Sequence, residues 1–379
     1  MKKKYIILSI ITLVLLITFV TSFNYFKTTN TYVENNSNNQ TKITKGISMN
    51  LEQTAGAGDY KQVTQSSWPT EGYKFNAELS KCENGGEISW DDTKKAVIVS
   101  GNLSDKCYVY FDIYQLTLAE YIKSQYTGTQ GDNALYYHNS TLTNGAGDNS
   151  YRYAGASDSV NNYICLGSDA TTCPEANLFR IIGVFGDKTK VIRAKSVGDQ
   201  KWNTNGSNTW STSSLNTYLN GTYLTSLGTL TDKIATTTWK VGGGSWANIG
   251  TSVPKTAYQY EVGGSASTTT YDAKIGLMYV TDYYYSASPS AWTLMGYNSD
   301  ATKDYRAAKT TNWLYLGSFE WTLLRRSDAT NYAFDVSSAG YVNLNGVTNS
   351  FGVRPSFNLL SSTTYVSGSG SMSDPVRIN

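Results

Sequence analysis

The sequence is short of the side chains that most catalytic sites are built from. One histidine, His138, stands in 379 residues, so a histidine-based triad has a single candidate base. Zinc sites take three or four Cys or His ligands at close spacing, and no such cluster occurs. Charged residues make up 16% of the chain, against about 25% in typical soluble domains. Taking Lys2, Lys3 and Lys4 from the 31 basic residues leaves 28 against 29 acidic ones. With no basic stripe to neutralise phosphates, nucleic acid is excluded as a partner.

The acids that are present do not sort themselves. Glycosidases need two facing carboxylates, and the spacing of Asp91, Asp92, Asp148, Asp158, Asp272, Asp282, Asp304 and Asp335 singles out no pair. No Asp-x-Asp-x-Asp-Gly loop occurs. Oxygen ligands in GDNS (Asp148, Asn149) and SDS (Asp158) leave calcium as the one cofactor the composition allows. No metal site and no catalytic residue is assigned, and the chain is not read as an enzyme.

What the chain has in excess is Tyr (30) and Gly (33), with many Ser, Thr and Asn, the composition of a β-rich extracellular surface. The three N-terminal lysines precede an uncharged run from Tyr5 to Phe23. About 17 to 25 apolar residues cross a bilayer, and flanking lysines keep their end in the cytoplasm. Residues 1–23 therefore read as a transmembrane anchor or, if cleaved near Val20-Thr21-Ser22, a signal segment. The protein is expected at the cell membrane as a single-pass chain with its C-terminal domains outside, or secreted after cleavage. Residues 24–57, which include ENNSNNQTK, read as a flexible stalk.

Four cysteines permit three pairings, and an exported chain favours disulfides. Sequential pairing, Cys82 with Cys107 and Cys165 with Cys173, closes two local loops. Residues 58–114 alternate in short apolar runs and predict a small all-β module. In 115–379, QLTLAEYIKSQY predicts a helix with a Thr117/Glu120 capping box, and WSTSSLNTYLNG predicts a second one capped by Ser211 and stopped by Asn220-Gly221. FRIIGVF followed by Gly186-Asp187 and Val191-Ile192-Arg193 predicts a hairpin with a central strand. Tyr332 to Val336 and Tyr341 to Leu344 predict another.

FEWTLLRRS, YAFDVSSAGYVNLNGV, FGVRPSFNL and the terminal GSGSMSDPVRIN, with FRIIGVF and the second helix before them, resemble blocks of a domain family found in Gram-positive and gut bacterial surface proteins. That domain resembles a divergent C-type-lectin-like fold, akin to the formylglycine-generating enzyme superfamily. The resemblance runs from about Leu116 to Asn379 and carries no activity. The superfamily's cysteine chemistry has no counterpart, because no Cys follows Cys173. The implied fold class is α+β: an N-terminal transmembrane helix, a disulfide-stapled all-β module, then a lectin-like domain with two short helices and mixed antiparallel sheets. On that reading Arg354 is structural, partly buried beside Trp321 and satisfied by backbone carbonyls, Asp335 or Glu320; Trp210 packs on the second helix.

Aromatic rings beside amides and hydroxyls suit sugars or protein surfaces. Trp246, Trp292 and the run Tyr283, Tyr284, Tyr285 are thus the candidate ligand-binding residues. The reading is a membrane-anchored extracellular binding or adhesion protein for a glycan or cell-surface protein. A structural cell-envelope protein and a carbohydrate-active enzyme are the alternatives.

Overall fold

The computed structural model describes residues 46–379 apart from 65–67, 70–71, 102–104 and 267. The chain divides between Gln115 and Leu116 into two compact units. Segment 1–23 and the first part of the expected stalk lie outside the described residues.

The first unit is a four-stranded sheet in the order β2-β1-β6-β3, with a separate β4-β5 hairpin. Its strands are β1 (Ile47–Glu52), β2 (Tyr60–Val63), β3 (Tyr73–Cys82), β4 (Glu87–Asp91), β5 (Ala96–Ser100) and β6 (Cys107–Ile113). Residues 47–52, expected to belong to the stalk, are an interior strand paired parallel to β6. Met49 and Leu51 alternate inward onto Val109 and Phe111, so this stretch buries the apolar surface that a stalk would lack. Phe75 and Trp90 stack, and Trp90 meets Phe111 edge-on with ring centres 5.5 Å apart. Cys82 and Cys107 face each other across β3 and β6 and are bonded.

The second unit has two main sheets. One runs β19-β11-β10-β8-β7 with β9 also on β10; the other runs β12-β18-β15-β16-β17. The strands of the first are β7 (Leu135–Tyr137), β8 (Tyr151–Tyr153), β9 (Tyr163–Cys165), β10 (Leu178–Phe185), β11 (Lys188–Arg193) and β19 (Ser356–Asn358). Those of the second are β12 (Asp199–Lys201), β15 (Glu320–Arg325), β16 (Tyr332–Val336), β17 (Val342–Gly346) and β18 (Ser350–Gly352). Two further hairpins pair β13 (Thr237–Lys240) with β14 (Thr270–Ala273) and β20 (Tyr365–Ser367) with β21 (Arg377–Ile378). β10 is buried along most of its length, as its continuous apolar run requires. At Gly183 a Cβ would stand 2.2 Å from the Tyr151 carbonyl. Only glycine lets β8 approach there, beside the register shift between β10 and β11.

The expected fold class does not hold. The described residues are dominated by strands, some of them paired in parallel, and none of their helices is long and apolar enough to cross a membrane. In place of two helices the second unit has α1 (Leu118–Ser124), α2 (Ser214–Tyr218), α3 (Leu224–Ser226), α4 (Trp246–Ile249), α5 (Pro254–Glu261) and α6 (Val280–Tyr285). Most span only a turn or two in Gly-, Ser- and Thr-rich sequence without sustained 3.6-residue periodicity, which is why the sequence hid them. The Thr117/Glu120 box caps α1. Ser213, not Ser211, caps α2 by accepting from the Asn216 amide. Asn220 does not stop the helix, which continues through a π-turn over Leu219–Tyr223. Its side chain instead bonds both the amide and the carbonyl of Ile275, at 2.9 Å each.

Candidate functional site

Two places in the second unit gather polar chemistry. The larger is an open cleft of about 980 Å³ between the loop closed by Cys165 and Cys173, residues 229–233, and the β20-β21 hairpin. Arg377 fixes its wall. One terminal nitrogen of Arg377 donates to the Ser168 carbonyl at 2.8 Å, and the other donates to the carbonyls of Ala170 and Thr171. With its donors so used, Arg377 acts as a brace. Asp169, Asp232 and Asp374 line the same cleft with Lys233, Thr171, Thr229 and several serines. Asp374 is partly engaged, since it accepts from the Ser369 amide at 2.8 Å.

The second place is a smaller pocket of about 220 Å³ walled by Phe185, Trp239, Tyr258 and Tyr279. Lys190 on β11 and Asp282 on α6 meet at its base, with Nζ 2.5 Å from Oδ2 and side chains 5% and 2% exposed. The ammonium also faces the rings of Tyr279 at 4.4 Å and Trp239 at 5.2 Å. Arg152 on β8 approaches Asp282 Oδ1 to 3.9 Å, but its closer partner is Asp148 at 2.6 Å. Asp148 also accepts from the Tyr258 hydroxyl at 2.9 Å. Burial alone would raise the Asp148 carboxyl, yet Arg152 and the hydrogen bonds from Ser150 and Tyr258 hold it below the usual carboxylate range.

A third carboxyl, Glu261 at the end of α5, is buried against the start of α6. Its two oxygens accept from the amides of Val280 and Thr281, both at 2.8 Å, while Asp282 accepts from the Tyr279 amide. The orphan amides at the N-terminal end of this short helix are thus met by two carboxylates. Burial pushes Glu261 up to about 7, more than these hydrogen bonds bring it down. Burial likewise lowers the Lys190 ammonium, with only partial compensation from Asp282.

The residues singled out as ligand-binding lie elsewhere. Tyr283, Tyr284, Tyr285 and Trp292 are buried. Tyr283 donates its hydroxyl to the Gly340 carbonyl, Tyr285 donates to Asn144, and the Trp292 indole N–H donates to Ala287. Tyr284 stacks on Tyr305 with centres 4.3 Å apart. Trp246 is half-buried and stacks on Phe334. Tyr283, Tyr284, Tyr285 and Trp292 form core, so a surface ligand does not reach them, and Trp246 packs at the core's edge. α6 is buried along its whole length, Thr281 and Asp282 included, which makes it an internal helix.

Arg354, Trp321 and Trp210 are buried. Arg354 donates from Nε and one terminal nitrogen to Glu320, the latter at 2.8 Å, and from that nitrogen to the Leu314 carbonyl at 2.6 Å. Asp335 is not its partner; it accepts from Asn345 instead. The Trp321 indole donates to the Gln200 carbonyl. His138 accepts the Ala146 amide at Nδ1, so the neutral ring carries its proton on Nε2. Burial, aided by Arg152, holds it well below the ordinary histidine range. Of the calcium candidates, Asp148 is taken up by Arg152, Ser150 and Tyr258. Among the described residues no three His, Cys, Asp or Glu side chains gather as a metal would need.

Sequence reasoning missed both sites. The cleft comes from tertiary convergence of three distant segments. Lys190 stood unremarked in the strand KTKVIR, where a lysine directly before Val191-Ile192 was the available signal. Residues 186–361 are similar to a family described as a domain of unknown function, DUF6273, a span that includes Lys190, Glu261 and Asp282 but neither Arg152 nor Arg377. No curated protein and no solved structure matches the chain.

Proposed function

We propose that the chain is an exported binding or adhesion protein that holds a polar ligand, a glycan first among them, in the cleft beside the Cys165–Cys173 loop. One observation carries this reading: the cleft's volume of about 980 Å³ and its lining of hydroxyls, carboxylates and Lys233. That size lies at the upper end of ligand sites, which run to about 1,000 Å³. The lining supplies the donors and acceptors that a sugar's hydroxyls demand. The disulfides at Cys82–Cys107 and Cys165–Cys173 support a place outside the reducing cytosol.

The same cleft supports a second reading, a carbohydrate-active enzyme, because it brings Asp169, Asp232 and Asp374 together and glycoside hydrolysis uses two carboxylates. An array of glycans and cell-wall fragments, probed with the whole chain with and without calcium, tests both. Binding that falls about tenfold, or 1.4 kcal/mol, in an Asp169→Ala/Asp232→Ala variant of unchanged thermal midpoint is the expected result. Turnover of a bound glycan would favour the enzyme. A blank array with concentration-dependent self-association would overturn the binding reading in favour of a structural envelope protein.

A further inference from the structure

We propose that Lys190 and Asp282 are the two halves of an intramolecular isopeptide bond that ties β11 to α6. The amine and the carboxyl touch, at 2.5 Å, and almost no solvent reaches either. Their walls are the rings of Trp239, Tyr279 and Phe185. Burial lowers the Lys190 ammonium, and passing its proton to Asp282 along their hydrogen bond gives the neutral amine and neutral acid. These neutral forms are the ones that condense. Arg152 does not need Asp282 as its counter-ion, because Asp148 already fills that place at 2.6 Å.

The step balances without an outside reagent. The Nζ lone pair forms a bond to Cγ of Asp282, and the C=O π pair moves onto oxygen. The tetrahedral centre then collapses as one C–O bond breaks. The departing oxygen takes a proton given up by Nζ and leaves as water, so amine plus carboxylic acid becomes amide plus water. Glu261 lies near enough for its charge to act on Lys190 and to feel that of Asp282. Both Glu261 oxygens are taken by the Val280 and Thr281 amides, so the proton passes directly between Nζ and the Asp282 carboxyl. Protonated along its hydrogen bond with Lys190, Oδ2 is the oxygen that departs; Oδ1 stays as the amide carbonyl, with the Arg152 charge 3.9 Å away. The 220 Å³ pocket gives the released water a way out.

The bond would close a loop whose ends lie 92 residues apart between the main sheet and an internal helix. It would be insensitive to reductant, unlike the two disulfides, which suits a protein that is pulled or exposed outside the cell.

Intact-mass measurement of the whole purified chain under reducing conditions, after incubation at neutral pH, decides the matter without any variant. The expected mass is one water below that of the sequence, and proteolysis should release a branched peptide joining the Lys190 and Asp282 segments. A full sequence mass, with cleavage after a free Lys190, would overturn the proposal. Asp282→Asn sharpens the test, since it can reach the same amide product by losing ammonia. Its final mass should equal that of the wild-type product.

Discussion

Two ion pairs in the second unit, Arg354–Glu320 and Lys190–Asp282, carry the same formal charges at nearly the same burial but rest on different chemistry. Arg354 spreads its charge over a planar fork, reaches both Glu320 oxygens and also satisfies the Leu314 carbonyl. A guanidinium keeps its proton under all conditions met by a protein. That pair therefore stays ionic, and it joins β15 to the segment leading into β19. Lys190 places a compact charge on one carboxylate oxygen and turns the rest of its ammonium toward rings. An amine in that position can give its proton away. Burial is the same in both; what separates a fixed brace from a reactive pair is whether the proton can leave.

The largest expected effect tests the brace. Arg354→Met leaves Glu320 buried without a counter-charge, and breaking such a pair costs about 3–5 kcal/mol. Urea denaturation should show it as a lowered midpoint, and adding Glu320→Leu should recover much of the loss, since replacing both partners by apolar groups is often close to neutral. A single variant within about 1 kcal/mol of wild type would mean that the pair is not what holds these segments. At Lys190 the comparison runs the other way. Lys190→Arg preserves charge while blocking the amide, so the loss should approach the roughly 2–4 kcal/mol of a lost covalent closure. A cost below about 1 kcal/mol there would place Lys190–Asp282 with ordinary ion pairs.

This contrast also separates what was legible in the sequence from what was not. Arg354 was legible because an arginine before Pro355 in an apolar run has few places to go, and Pro355, which offers its carbonyl to Arg193, needs no donor of its own. The cysteine pairing and the two hairpins were legible because they are local. The fold class was not, since helices of one or two turns leave little periodic trace. Residues 47–52 were hidden by a polar approach in which Gly46 alone marks the change before Ile47, Met49 and Leu51. Tyr283, Tyr284, Tyr285 and Trp292 were misplaced because glycine- and serine-rich flanks suggested a loop, whereas the Tyr283 and Tyr285 hydroxyls find carbonyl partners inside. Lys190–Asp282 needed the fold itself, which alone sets β11 against α6.

A third buried carboxyl has no cation at all. Asp335 in β16 accepts one hydrogen bond, from Asn345 at 2.9 Å, and its Oδ2 has no partner among the described residues. Burial pushes it up to about 7 from an ordinary 3.8, against a small opposing effect of Asn345. Between those values the folded state holds a proton that the unfolded state lacks. Its contribution is full below the unfolded value and is lost as pH rises through the folded one. Stability should therefore fall from pH 5 to pH 8. Asp335→Asn should flatten that slope and gain roughly 2 kcal/mol at pH 8. Glu261, shifted in the same direction, leaves part of the slope in place. Denaturation midpoints of both proteins at several pH values measure it, and parallel curves would show that Asp335 is not the titrating group.

The smallest effect belongs to the pair in which neither burial nor proton loss operates. Lys195 and Glu175 stand 2.7 Å apart with side chains 64% and 65% exposed, so water screens the attraction and two long side chains lose freedom to make it. Such pairs contribute about 0–1 kcal/mol, less in salt. Lys195→Ala should move the urea midpoint by no more than about 0.5 kcal/mol, and raising salt should erase the difference. If Lys195→Ala cost as much as Arg354→Met, distance rather than burial would govern these pairs. The separation of the two buried pairs from the surface contact would then collapse, because all three are in direct contact and burial is what sets the surface pair apart.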